Sequence, residues 1–256
     1  MIIPDNYAST LYHYFDQKYS TYHYFKMLDG KPVVGTVDSI WDLIKVLKRF
    51  DEYDHYLSCY SFSETEPKST YINGKKVVRE SAQINKIFFD IDPEAGEEDN
   101  LDRIEELRAI PIPKRMFATG RGIQMFIDLD RNITLAEALY YQKALDKVFH
   151  IRSDTHVPID PMRVFRLPYT KNSKNGRWCI PISDKLEADD IRTYQKYSSI
   201  YHAYFVQRTP VSVETLNTFI PPGTMEVKEP KIATKITLNE ADKKKIMKLW
   251  KKVGGH

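Results

Sequence analysis

Lys86-Ile-Phe-Phe-Asp-Ile-Asp92 is the stretch that decides how the chain folds. Ile87, Phe88, Phe89 and Ile91 have the β-branched and aromatic character of a buried strand, where side chains alternate between faces. Phe88, Asp90 and Asp92 then share one face. Two ionised carboxylates ~7 Å apart on a sheet face repel each other, and burying either without compensation costs several kcal/mol. A cation is therefore expected between them. Carboxylate oxygens suit Mg²⁺ or Mn²⁺, ions that typically serve phosphate chemistry. The plainer reading is a strand end whose aspartates are solvated or cap a turn, because Pro93 and an acidic run to Asp102 follow at once.

Working outward, 256 residues that are 42% hydrophobic and 29% charged can bury a large core as one domain or two interlocked subdomains. A net charge of +3 and a pI of 8.6 permit a nucleic-acid partner without demanding one, so any basic footprint must be local. Cys59 and Cys179 are too few for a structural zinc site and read as reduced, buried thiols. No run approaches the ~20 apolar residues of a membrane span, and the start lacks a charged leader with an apolar core. The expectation is a soluble cytoplasmic protein with no membrane partner.

Between the termini the pattern alternates helix and strand. Tyr7, Leu11, Tyr14 and Phe15 approximate a helical stripe in an aromatic N-terminal segment. Residues 38–50 predict an amphipathic helix with Ile40, Leu43, Ile44, Leu47 and Phe50 inward and Lys45, Lys48 and Arg49 outward. A strand is expected over 56–62, a hairpin turn at Asn73-Gly74, and an acidic helix carrying Leu101, Ile104 and Leu107. Arg115 to Ala118 and Ile123 to Leu129 read as strands joined by the tight turn Thr119-Gly-Arg-Gly122. Thr134 and Glu137 form a capping box for a helix expected to bury Leu135, Ala138, Leu139, Leu145, Val148 and Phe149. Met162-Arg-Val-Phe-Arg-Leu167 and Trp178 to Ile182 are strand-like around a polar turn, and 187–205 is mainly helical. The boundaries expected are a main domain over 1–220, a linker over 221–236 and a basic amphipathic helix over 237–256.

Asp90, Asp92 and Asp160 together have the make-up of a two-metal nucleotidyl-transfer triad, in which carboxylates hold ions between a triphosphate and an attacking hydroxyl. The Thr119–Gly122 turn offers backbone N–H groups to an oxyanion, with Arg121 adding charge, and Arg163 and Arg166 follow Asp160 closely enough to grip the same triphosphate.

With those residues in place, the chain resembles the catalytic domain of the archaeo-eukaryotic primase superfamily, most nearly the primase-polymerases of archaeal plasmids and viruses. The resemblance rests on Phe88-Phe-Asp-Ile-Asp92, on Thr119-Gly-Arg-Gly-Ile-Gln124, and on Ile159-Asp-Pro-Met-Arg-Val-Phe-Arg-Leu-Pro168 with Tyr169 to Gly176 after it, and it covers residues 50 to 185. It implies an α+β fold of two interlocked α/β subdomains, one with a sheet like that of an RNA-recognition fold, and an active site in the cleft between them. It implies that Asp90, Asp92 and Asp160 bind Mg²⁺ or Mn²⁺. Thr119, Gly120, Arg121, Gly122, Gln124, Arg163, Arg166, Lys171 and Lys174 are then the implied nucleotide-binding residues. Gln124 stands where the family has a histidine; it can donate a hydrogen bond to a phosphate oxygen but carries neither charge nor a transferable proton at neutral pH.

The activity implied is DNA-templated primer synthesis and extension from nucleoside triphosphates in replication. Single-stranded DNA is the template, and a helicase or accessory replication protein is a further partner. Two alternatives stay open: a metal-dependent nuclease using the same carboxylates, and a non-catalytic single-strand-binding module descended from a primase.

Overall fold

A computed structural model describes residues 20–26, 32–49, 54–71, 73–154, 160–197 and 209–224. From β1 (Ser20–Lys26) and β2 (Pro32–Val37) the chain enters α1 (Ile40–Arg49), β3 (Asp54–Phe62) and a hairpin of β4 (Thr65–Pro67) and β5 (Lys75–Val77). A short β6 (Ala82–Gln83) leads to β7 (Lys86–Ile91), α2 (Ile104–Arg108), β8 (Arg115–Ala118), β9 (Ile123–Asp128) and α3 (Leu135–Phe149). Then come β10 (Val164–Arg166), β11 (Ile180–Ile182), α4 (Ala188–Tyr197) and α5 (Val213–Thr218). The chain divides into units at Met1–Met225 and Glu226–His256. The stripe at Tyr7, Leu11, Tyr14 and Phe15, Phe50, the linker beyond Thr224, the helix expected over 237–256, and the continuation of α4 past Tyr197 all lie outside the described residues.

The architecture is a mixed α/β arrangement of antiparallel sheets. One sheet runs β10-β3-β1-β2, with β6 also on β3; the other runs β11-β8-β9-β7. Every pairing in the second sheet is antiparallel. Its strands β7 and β8 are linked through α2 and flank β9, a split β-α-β unit. The last strand, β11, pairs with β8, so β7 is left at the sheet edge.

An unpaired strand edge would normally invite association, and here the neighbouring segments cover it. The outward carbonyl of Phe88 accepts from Gln142 Nε2 at 2.7 Å and that of Asp90 from the Asp154 amide at 2.9 Å, while the Ile91 carbonyl, turned toward β9, accepts from Asn100 Nδ2 at 2.6 Å. Ile87, Phe89 and Ile91 are completely buried, so that side of β7 is covered too. On the other side Phe88 meets Phe126 with centroids 4.9 Å apart, and Phe126 meets Phe165 of β10 edge-on at 5.1 Å. One continuous apolar cluster thus joins both sheets.

The helices follow their apolar patterns with one exception. Ile40, Leu43, Ile44 and Leu47 recur at helical spacing and are buried on α1, with Ser39 Oγ accepting from the Asp42 amide at its start. Thr134 and Glu137 make the expected capping box on α3, which ends with His150 in the left-handed region at φ 51°. The buried face of α3 is rotated from expectation: Leu135 is exposed, while Tyr141 and Gln142 turn inward. The cause is the β7 edge, whose carbonyl draws the Gln142 amide inside. The Asn73-Gly74 turn closes the β4–β5 hairpin with Gly74 at φ 67°, and the Asn73 side chain clasps both backbone groups of Thr36 on β2.

Cys59 and Cys179 are free and buried, as expected. Burial pushes both thiols up, that of Cys179 to about 12. Among the described residues no helix is long and apolar enough to cross a membrane.

Candidate functional site

The antiparallel register of β7 with β9 sets Asp90 directly opposite Gln124. Asp90 lies on the Phe88 face and accepts a hydrogen bond from Arg163 Nη2 at 2.9 Å, in a pair whose side chains are 22% and 26% exposed. The same guanidinium sits over the Phe88 ring, 5.9 Å from its centroid. Burial, and after it the charge of Asp92, raises the Asp90 carboxyl above its ordinary range, with Arg163 and a Gln124 hydrogen bond acting the other way. A group so placed gains from any further positive charge brought to it. Asp92, one residue past the strand, is exposed.

The glycine turn abuts this strand end. A Cβ on Gly122 would stand 2.9 Å from the Ile91 carbonyl oxygen and 3.1 Å from Asp92 Oδ1, so only glycine fits there without a backbone shift. Gly120, at φ 112°, faces the amide groups of Asn172 and Asn175, and Asn172 Nδ2 donates to the Thr119 carbonyl at 3.3 Å. The Thr119–Gly122 turn is thereby wedged between the end of β7 and the polar loop that carries Lys171 and Lys174, both of them exposed.

Asp160 reaches the same neighbourhood through the backbone. Its carbonyl accepts from the Arg163 amide at 2.8 Å, so Asp160 and Asp90 are held by opposite ends of one arginine. Its carboxylate accepts from the Met162 amide at 2.9 Å and pairs with Arg79 at 3.0 Å across an exposed surface. Among the described residues, no three acidic, histidine or cysteine side chains stand together as a ready-made metal site. The donor chemistry of Asp90 and Asp92 nevertheless suits a divalent ion, since two nearby carboxylates share one excess of negative charge. The Asp160 carboxylate is held by Arg79 and the Met162 amide.

Like Arg163, the other two arginines expected on phosphate have protein partners. Arg166 is buried, donating to Asp54 Oδ1 at 2.8 Å and stacking over Tyr56 at 4.7 Å. A desolvated guanidinium seeks a carboxylate, and Asp54 at the head of β3 is the one within reach. Asp54 also accepts from the amide and hydroxyl of Ser173, which anchors the lysine loop. Arg121 donates to the Glu98 carbonyl at 2.9 Å and to that of Glu97, so it ties the turn to the acidic loop. Gln124 is buried, and its Oε1 has no hydrogen-bond partner among the described residues.

Sequence reasoning missed Asp54, Arg79 and Arg177. Arg177 donates to Asp99 at 2.9 Å and to the Gly120 carbonyl at 3.2 Å, bracing the turn from below. Asp99 also pairs with Arg192 at 2.8 Å, within an open cleft of 450 Å³ lined by Glu97, Glu98, Asp99, Asp102 and Arg192. None of these partnerships follows a spacing rule, because each joins residues far apart in the chain.

No protein-family model matches the chain, and neither does any curated protein. The solved structures to which it is similar include archaeo-eukaryotic primase and polymerase domains. One is the archaeo-eukaryotic primase domain of the cyanophage S-2L primase-polymerase, at 13% identity and a TM-score of 0.47 over 72% of this chain and 94% of that one. Another is the catalytic domain of primase RepB′ in complex with initiator DNA, at 11% identity and 0.45 over 71% and 86%. A third is the polymerase domain of Mycobacterium tuberculosis Ligase D in complex with DNA, at 14% identity and 0.45 over 86% and 92%.

Proposed function

We propose that the chain is a DNA-templated nucleotidyltransferase that makes primers from nucleoside triphosphates and extends them, working at the edge of β7. The observation that supports this most is the convergence there of Asp90 and Asp92, of Arg163 and Asp160 from the approach to β10, and of Gly122 from the glycine turn. Asp90 and Asp92 are the residues to hold Mg²⁺ or Mn²⁺, with Asp160 completing the set once its carboxylate is released from Arg79. When bound, the ions would offset the charge of the triphosphate and activate the attacking hydroxyl for displacement of pyrophosphate.

The chain's own side chains do the positioning. Arg163 holds a planar guanidinium beside Asp90, with a geometry that suits a phosphate as well as a carboxylate. Lys171 and Lys174 add mobile point charges from a loop pinned at Ser173. The glycine turn lets an oxyanion approach the backbone closely. Arg121 and Arg166 shape this pocket from behind, since the Glu97 and Glu98 carbonyls and Asp54 already hold them.

The test is incorporation of a labelled nucleotide on a single-stranded template with Mg²⁺ or Mn²⁺. Asp90→Ala is expected to reduce it to background while melting as a folded protein. Wild-type incorporation by that variant would remove β7 from the mechanism. Shortening of a labelled strand without triphosphate would point to the nuclease.

A non-catalytic single-strand-binding module is the second reading, favoured by the protein partners of Arg121 and Arg166 and by Gln124 at the histidine position. It predicts strand binding that weakens with salt but ignores metal and triphosphate.

A further inference from the structure

The solvent face of α1 has a composition that packing does not explain. The helix is docked by Ile40, Leu43, Ile44 and Leu47, yet Trp41, outside that stripe, is 64% exposed. Among the described residues the only other exposed large hydrophobic side chain is Leu135. Trp41, Lys45 and Lys48 follow one another at i, i+4 and i+7, which places them in a single stripe ~10 Å long. Lys45 is 77% exposed, and its contact with Asp42 at 3.4 Å is a surface pair of little strength. Asp42 is also engaged by the Ser39 hydroxyl at 2.9 Å, which draws that carboxylate toward the start of the helix. Lys48 and Arg49 are exposed on the last turn, where cations also suit the helix dipole.

A flat aromatic ring presented by a rigid helix, with cations a turn away on the same stripe, is the pairing that binds single-stranded nucleic acid: the ring stacks on a base and the ammonium groups meet the phosphates. A protein partner or a membrane surface would need a broader apolar patch than one tryptophan. We propose that the solvent face of α1 binds a single nucleic-acid strand, with Trp41 stacked on a base and Lys45 and Lys48 on neighbouring phosphates. This rests on the reading above only for the class of partner; strand binding at α1 needs none of the chemistry at Asp90.

The experiment is fluorescence anisotropy of a labelled oligothymidylate with the full chain, without metal or triphosphate, over a range of salt. Trp41→Ala is expected to weaken binding about tenfold. In the Lys45→Ala/Lys48→Ala double variant the slope of log affinity against log salt should flatten by about 1.4, the share of two phosphate contacts on a single strand. Quenching of tryptophan emission on binding should shrink in Trp41→Phe. The three substituted side chains are exposed, so melting temperatures should hold. Unchanged affinity and salt slope in these variants would overturn the inference. So would self-association that Trp41→Ala abolishes while strand binding stays intact. Templated incorporation is measured separately: its absence from the wild type would overturn the catalytic reading and leave this one standing.

Discussion

At the scale of single residues, the most consequential feature is how the acidic side chains divide between two kinds of partner. Asp54 is a structural carboxylate. Burial pushes it up, but the Ser173 amide and hydroxyl and the Arg166 guanidinium outweigh that and hold it below its ordinary value of 3.8. A carboxyl lowered on folding contributes stability above its unfolded value, and that contribution is lost as pH falls through the folded one. Asp54→Asn should therefore cost about 3–5 kcal/mol near neutrality by leaving Arg166 buried without a counter-charge. The gap in melting temperature between wild type and variant should close below pH 3.8, which thermal denaturation across an acid series would check. A gap unchanged by acid would mean that Asp54 is not ionised in the fold. Asp90 is the opposite case, raised by burial and by Asp92, and so a carboxylate that a cation would relieve.

At the scale of elements, the glycine turn is the joint between strand and loop. Its two glycines are needed for different reasons. Gly120 sits at φ 112° against flexible amide side chains, whereas a Cβ on Gly122 would stand 2.9 Å from the Ile91 backbone oxygen. A side-chain neighbour can swing away, but a strand carbonyl cannot. Gly122→Ala should accordingly destabilise the fold by about 1–3 kcal/mol and displace Asp92. The expected readout is a lower melting temperature together with a loss of incorporation larger than the loss of folded protein explains. Full activity in the alanine variant would show that the end of β7 tolerates movement.

At the scale of the whole molecule, the candidate site exists only because two sheets meet. Asp90 and Asp92 come from the edge of one, and Asp160 and Arg163 from the approach to β10 of the other, with Phe126 and Phe165 packed between the sheets. An ion held at this junction ties both sheets together, so Mn²⁺ should raise the melting temperature. At a hundredfold excess over its dissociation constant the gain would be about 2.7 kcal/mol. Asp90→Asn should lose that response. A wild type whose melting ignores Mn²⁺ would argue against a metal at β7.

Much of this was legible in the residues alone, for reasons that are local. Alternation along β7, the 3.6-residue stripe of α1, the capping box of α3 and the Asn73-Gly74 turn each depend on neighbours a few positions apart, which any chain carries in its order. The candidate carboxylates and glycines were legible too, because their chemistry is written in residue type. Partnership was not. Arg163 chose Asp90, Arg166 chose Asp54, Arg79 chose Asp160, and α3 turned Gln142 rather than Leu135 inward. Each choice follows from which charge or strand edge lies nearest once the sheets have closed, and that distance is a property of the fold that no stretch of sequence contains.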